Sequence, residues 1–271
     1  MIKVDNPIIA LLTDFGEADF FVPSMKGVIA CINPSANVLD ITHSIPSFDV
    51  FAGSFVLFAS YRFFPKGTIF VVVIDPGVGS ARKILLVETK KYCFIAPDNG
   101  ILSQVLEEER VYHSREISNP KYHLLQSGVT FDGRDKMAPV SAWLSLGLSP
   151  EEFGPPVKSI QKNELRSPRE TADEINGSVL YHDKFGNLIT NISFSHLDFF
   201  LKTHGQEAVR LIAGENIIAY GHSYSVVPIG APVFLLGSLG LIEIAVREGS
   251  ALNKLNVKPG DGIKIKLINN Q

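Results

Sequence analysis

Sulfur and tryptophan are scarce in this sequence: it has two cysteines, three methionines and one tryptophan. Cys31 and Cys93 form no CxxC pair and no zinc spacing, and their apolar settings predict two buried thiols. An excess of one charge is also missing. Lysine and arginine number 25 against 28 aspartates and glutamates, a net charge of −3, which excludes a generally basic nucleic-acid binder. No apolar run approaches the about 18 residues of a membrane span. The opening residues lack the charged-then-apolar layout of an export signal, so a cytoplasmic protein is expected. None of the seven histidines falls in an HxH or HExxH spacing, and no GxSxG or Walker loop is present. No metal site is expected.

What is present is an ordinary globular composition, 45% hydrophobic and 20% charged over 271 residues. At about 150 residues per domain, that length suits one large domain or two modest ones. The first part alternates strand and helix signals. Ile8–Leu12 and Thr68–Ile74 are continuous apolar runs of the kind buried on both faces of a parallel sheet. Asn37–Ile41 is a further strand, and Val22–Ile32, Val50–Phe63, Ile101–Glu109 and Met137–Gly147 carry helical spacing. Ile84–Glu88 and Tyr92–Ile95 read as strands, with a hairpin possible across Thr89-Lys90-Lys91. From about Gly154 to Asn176 periodicity fades and prolines gather, as in a linker. Gly177 to Asn270 is dominated by short β-type runs: 178–181, 188–192, 232–236, 241–246 and 262–267. The expectation is an N-terminal α/β domain with a mostly parallel sheet over 1–160, and a small C-terminal β-barrel over 175–271.

In open α/β sheets ligands gather at the carboxyl ends of strands. Three polar loops fall there: Thr13-Asp14-Phe15-Gly16 with Asp19, Thr42-His43-Ser44, and Asp75-Pro76-Gly77-Val78-Gly79. Gly77 to Arg82 superficially resembles GxGxxG, but Arg82 stands at the third glycine position and no helix pattern follows. Its glycines instead allow a tight turn that returns Arg82 towards Asp75, as a structural ion pair or as part of a site. In Thr130-Phe131-Asp132-Gly133-Arg134-Asp135, Asp135 suits a helix start with Arg134 as its partner, whereas Asp132 has no evident capping duty. Asp183-Lys184-Phe185-Gly186-Asn187 reads first as a hairpin turn. His43 reads as a satisfied structural histidine.

Together these segments resemble one family over nearly the whole chain: the S-adenosyl-L-methionine (SAM) hydroxide adenosyltransferases, or SAM hydrolases, relatives of the 5′-fluorinase and 5′-chlorinase. The resemblance rests on 12–16 with Asp19, Met25-Lys26-Gly27-Val28-Ile29, Asp40-Ile41-Thr42-His43, Phe64-Pro65-Lys66-Gly67-Thr68, 73–79, Pro97-Asp98-Asn99-Gly100, Thr130-Phe131 with Gly133-Arg134-Asp135, and 185–191. It implies hydrolysis of SAM to adenosine and L-methionine by water attack at ribose C5′, with neither cofactor nor metal. It also implies a homotrimer that binds SAM between the N-terminal domain of one subunit and the C-terminal domain of its neighbour. Neither nucleic acid nor membrane is an expected partner.

By the same resemblance Asp14 takes the place of a ribose-binding aspartate. Asp19, Asp183, Asn187 and Ser238 fall near positions that hold the methionine part, and Phe48 matches an aromatic position near the substrate. Asp75 and Arg82 match two members of the Asp–Arg–His set around the nucleophilic water. Halogenating relatives carry Tyr at the Asp75 position, so the chain looks like a hydrolase. It departs from the pattern at Asp132, where hydrolases typically carry His, so the resemblance implies a catalytic, water-holding set of Asp75, Arg82 and Asp132. If Asp75 and Asp132 lie close, mutual repulsion should raise one carboxylate pKa, partly cancelled by Arg82. The alternatives are a SAM- or adenosine-binding protein with little turnover and, against the charge of Asp75, a halide-dependent 5′-halogenase.

Overall fold

A computed structural model of the chain describes residues 7–124, 128, 130–163, 167–205 and 208–267. Residues 1–6, 164–166 within the stretch read as a linker, and 268–271 at the end of the expected barrel lie outside the described residues. The chain divides into two compact units, Met1–Glu164 and Leu165–Gln271.

The first unit is built on a six-stranded sheet in the order β2-β1-β3-β5-β4-β6. Its strands are β1 (Ile8–Thr13), β2 (Asn37–Thr42), β3 (Ile69–Val73), β4 (Ile84–Thr89), β5 (Cys93–Pro97) and β6 (Val111–Glu116). Three of the five pairings are parallel, and β4 runs antiparallel to both β5 and β6. The hairpin across Thr89-Lys90-Lys91 is therefore present, while β6 gave no clear sequence signal. All five residues of β3 are buried, as its unbroken apolar run requires. Ile9, Leu11, Val71 and Val73 share one core with Met25 and Ile29 of α1 (Phe21–Ile32). On alternate positions, Phe70 stacks on Phe94 at 5.1 Å.

The chain moves from β1 to β2 on one side, then through α2 (Val50–Ser60) to β3 on the other. Right-handed crossovers in opposite directions put α1 and α2 on opposite faces and leave a crevice at the carboxyl ends of β1 and β3. The helix expected over Ile101–Glu109 is reduced to α3 (Val105–Glu108). Cys31 is exposed, contrary to expectation, because the buried stripe of α1 runs through Val22, Met25 and Ile29 and leaves position 31 off it. Cys93 is buried. Before α4 (Ala138–Ser145) the chain makes a wide π-helical turn over Gly133–Met137, a local form often found at functional sites.

The second unit holds β7 (Arg169–Glu170), β8 (Glu174–His182), β9 (Leu188–Ser193), β10 (Val209–Ala213), β11 (Asn216–Ala219), β12 (Pro232–Leu236), β13 (Leu241–Val246) and β14 (Gly262–Leu267). The order β11-β10-β14-β8-β9-β13-β12 is antiparallel throughout, with β7 beside β8. A bridge between Tyr220 and Phe234 brings the two ends together, giving a nearly closed barrel. The corner lies in β8, which pairs with β14 before Val179 and with β9 after it. Gly177 marks this corner: a Cβ there would fall 2.6 Å from Asn191 Oδ1 and Ile192 Cγ1. Two helices, α5 (Phe194–His204) and α6 (Ala251–Leu255), complete the unit.

Candidate active site

The loop after β3 carries Asp75, and the turn that follows brings Arg82 back to it. Arg82 Nε donates to Asp75 Oδ1 at 3.0 Å and Oδ2 at 2.8 Å, and the Gly77 amide donates to Oδ1 at 3.2 Å. Asn99, in the turn after β5, donates from Nδ2 to the Ile74 carbonyl at 2.9 Å and so pins the backbone just before Asp75. Arg82 Nη2 also bonds Asp132 Oδ2, joining two carboxylates through one guanidinium. The three side chains are only 6% (Asp75), 11% (Arg82) and 5% (Asp132) exposed.

Asp132 arrives from a distant segment, and aromatic packing sets its place. Phe131 meets Phe15 at 5.6 Å and Phe21 at 5.1 Å, both edge-on, while the Arg134 guanidinium lies over its ring at 5.0 Å. Gly133 permits the closest approach: a Cβ there would crowd Val73 Cγ1 and Met25 Sδ at 3.3 Å. As the sequence suggested, Arg134 pairs with Asp135, Nε to Oδ1, at 2.6 Å.

The expected repulsion between Asp75 and Asp132 does not govern Asp132. Burial works against its charged form, but hydrogen bonds from Lys136 and Arg82 outweigh it and hold the carboxyl below its ordinary value. Lys136 Nζ stands 2.8 Å from Asp132 Oδ1. Burial opposes charge on Arg82 as well, and its bonds to Asp75 and Asp132 more than restore it. His123 is within electrostatic reach of both Asp132 and Lys136. Burial and the nearby lysine push its pKa down, and its Nε2 is buried with no hydrogen-bond partner among the described residues.

At the carboxyl end of β1, Asp14 Oδ2 accepts from the Phe48 amide at 2.8 Å. Phe48 is 70% exposed and has a φ of 68°, a costly conformation for a bulky residue and one that gathers at functional loops. Beneath them, Thr13 Oγ1 and His43 Nδ1 share a buried hydrogen bond of 2.9 Å, and His43 Nε2 lies 2.9 Å from Asp40 Oδ1. His43 therefore has the structural part expected of it. Asp19 is exposed.

In the second unit, Asp183 and Asn187 close the β8–β9 turn. Asp183 Oδ1 accepts from the amides of Phe185 and Asn187 at 2.9 Å each, and Oδ2 from Asn187 Nδ2 at 2.9 Å. The hairpin-turn reading holds, and it also brings these two candidate residues together. Ser238 is exposed in the turn between β12 and β13. Close by in charge is a pair the sequence reading missed: Tyr224 donates its hydroxyl to Glu243 Oε1 at 2.6 Å. Burial raises the Glu243 pKa, Asp183 adds to the rise, and the Tyr224 bond opposes it. A glutamate inside the apolar run Leu241–Val246 was the available signal. For Lys136 the signal was its spacing of four from Asp132.

Among the described residues, no group of three or more His, Cys, Asp or Glu side chains is arranged to hold a metal ion, and no helix is long and apolar enough to cross a membrane. The chain is 35% identical to the (R)-S-adenosyl-L-methionine hydrolase of Thermus thermophilus, covering 94% of this chain and 97% of that one. It is 28% identical to a fluorinase of an Actinoplanes species, over 94% and 96% of the two chains. The crystal structure of an uncharacterised conserved protein from Thermotoga maritima superposes with a TM-score of 0.88 at 39% identity, covering 95% of this chain and 99% of that one. The family model of the SAM hydroxide adenosyltransferase N-terminal domain matches residues 9–154, and that of the C-terminal domain matches 177–264. With both halves matched in order, the chain belongs to the SAM hydroxide adenosyltransferase family.

Proposed function

We propose that the protein is an enzyme that hydrolyses S-adenosyl-L-methionine to adenosine and L-methionine. The observation that carries this reading is the buried cluster at the carboxyl end of β3, where Arg82 joins Asp75 to Asp132. Water attacks ribose C5′, the C5′–O bond forms, and the C5′–S pair returns to sulfur as the neutral thioether of methionine. One proton leaves with the attack. Because the sulfonium is already a good leaving group, the protein's task is to align a water and accept its proton late. Alignment of a bound nucleophile can supply about 7–11 kcal/mol of such a barrier.

Asp75 orients the water and takes the proton. Its carboxylate takes three donors, Arg82 Nε, Arg82 Nη2 and the Gly77 amide, against about four acceptor positions. Arg82 is permanently charged and fixes Asp75 in place. The Asp75 carboxylate, placed directly beside the nucleophile position, favours neutral water over a halide anion. Asp14 is assigned to the ribose, Phe48 to an aromatic wall beside the substrate, and Asp19, Asp183, Asn187 and Ser238 to the methionine part. The reaction needs neither cofactor nor metal, since the substrate brings its own leaving group.

A homotrimer is part of this reading, supported by the exposure of Phe20, Phe48 and Phe185, apolar side chains that an assembly would cover. A cytoplasmic location is supported by two free thiols, one of them exposed.

The test is a chromatographic assay with SAM in halide-free buffer. Equimolar, protein-dependent adenosine and methionine are expected, with no 5′-halo-adenosine on adding chloride or fluoride. Asp75→Asn is expected to lower kcat by about 10²–10⁴-fold while SAM still binds. SAM bound but left intact would instead favour a binding protein, a reading motivated by Asp132 being held between cations rather than free to act as a base.

A further inference from the structure

Asp132 uses its two oxygens on two different cations. Arg82 Nη2 takes Oδ2, and Lys136 Nζ, one turn further along the π-helical segment, takes Oδ1 at 2.8 Å. The second contact completes a charge balance. Asp75 and Asp132 carry two negative charges and Arg82 one positive, so without Lys136 a cluster with side chains 5–11% exposed would hold one net negative charge. Such a cluster relieves itself by binding a proton or by opening. Either change would release one arm of Arg82, the group that also holds Asp75.

We propose that Lys136 is a positioning residue for SAM cleavage, the cation that allows an aspartate to stand at position 132 and so keeps Arg82 seated on Asp75. This rests on the hydrolase reading above. Histidine at 132 carries no negative charge and would need no second cation, so Asp132 and Lys136 act as one exchangeable unit. The charged and titratable groups facing Asp132 are Asp75 and Arg82 from the loop after β3, Lys136 from its own segment, and His123 from the segment before it. His123 does not share the task, because burial and Lys136 both favour its neutral form.

Two readouts on the full-length protein test the inference: SAM turnover across pH, and the titration of the Asp132 carboxyl by carbon NMR in aspartate-labelled protein, assigned by its loss in Asp132→Asn. In Lys136→Met the Asp132 carboxyl is expected to titrate at higher pH than in wild type. The acid limb of kcat should move the same way, and kcat at neutral pH should fall by about 10²-fold, the scale of a misplaced catalytic group, with KM unchanged. Lys136→Arg should restore both readouts. Asp132→His should be poor alone and recover when combined with Lys136→Met, so the two changes are not additive.

An Asp132 carboxyl that titrates identically with methionine at 136, or a Lys136→Met enzyme with the wild-type pH profile, overturns the proposal. A wild-type protein that yields neither adenosine nor methionine overturns the hydrolase reading instead, and the carboxyl titration then decides the coupling of Lys136 to Asp132.

Discussion

Asp132 in the first unit and Glu243 in the second are both buried acids, 4% and 9% exposed, and burial opposes the charge of each. They are nevertheless driven in opposite directions. Asp132 lies between Arg82 and Lys136 and falls below its ordinary pKa. Glu243 has a phenol and the charge of Asp183 for company and rises above its own. Burial pushes both up: at Asp132 the bonds from two cations outweigh it, and at Glu243 the bond from the phenol does not. In the first unit the result is a cluster of fixed charges, suited to holding a water in one orientation. In the second it is an acid that holds its proton more tightly than an ordinary glutamate.

The most damaging way to break this contrast is Arg82→Met, which leaves two carboxylates facing each other without their shared cation. A loss of about 3–5 kcal/mol in unfolding free energy is expected, together with loss of turnover, read by urea denaturation and the SAM assay. If Arg82→Met unfolds no more easily than wild type, the charge balance of the cluster is not what holds it. A smaller effect is expected from Tyr224→Phe. It removes a hydrogen bond that favours ionised Glu243, at about 0.5–1.5 kcal/mol by thermal unfolding, and should push the Glu243 pKa still higher.

Smallest is Glu243→Gln, whose signature is its pH dependence. Because the folded-state pKa of Glu243 is raised, the folded protein binds that proton more tightly than the unfolded chain. Its stability therefore falls as pH rises from the ordinary glutamate value of 4.5 through the folded value. Glutamine should remove that fall, so the variant gains on wild type as pH rises above about 4.5. Asp132 has the reverse sign: its contribution is complete above the unfolded value near 3.8 and is lost only as pH falls through the lowered folded value. A Glu243→Gln melting curve that tracks wild type at every pH would remove the contrast between the two acids.

Much of the architecture was legible because period and punctuation carry it. The short apolar runs at 8–12 and 68–74 read as strands covered on both faces, and the short runs from 178 to 267 match barrel strands. The Asp75–Arg82 pair was legible from two glycines and a short loop. Less visible were β6, exposed or half-buried along its length, and the short elements β10, β11 and α6 together with α5, which stands as a helix among strand signals. Met137–Gly147 read as one helix, yet its start is a wide turn set by the packing of Gly133 against Val73.

The order of elements, the loops at the strand ends and the residue types available for chemistry were determined by the sequence itself, since they depend on local pattern and turn residues. Whether Asp132 would repel Asp75 or share a cation with it depended on contacts between residues 75, 82, 132 and 136. Electrostatic energy falls with distance and rises with burial, and neither quantity exists until the chain has folded.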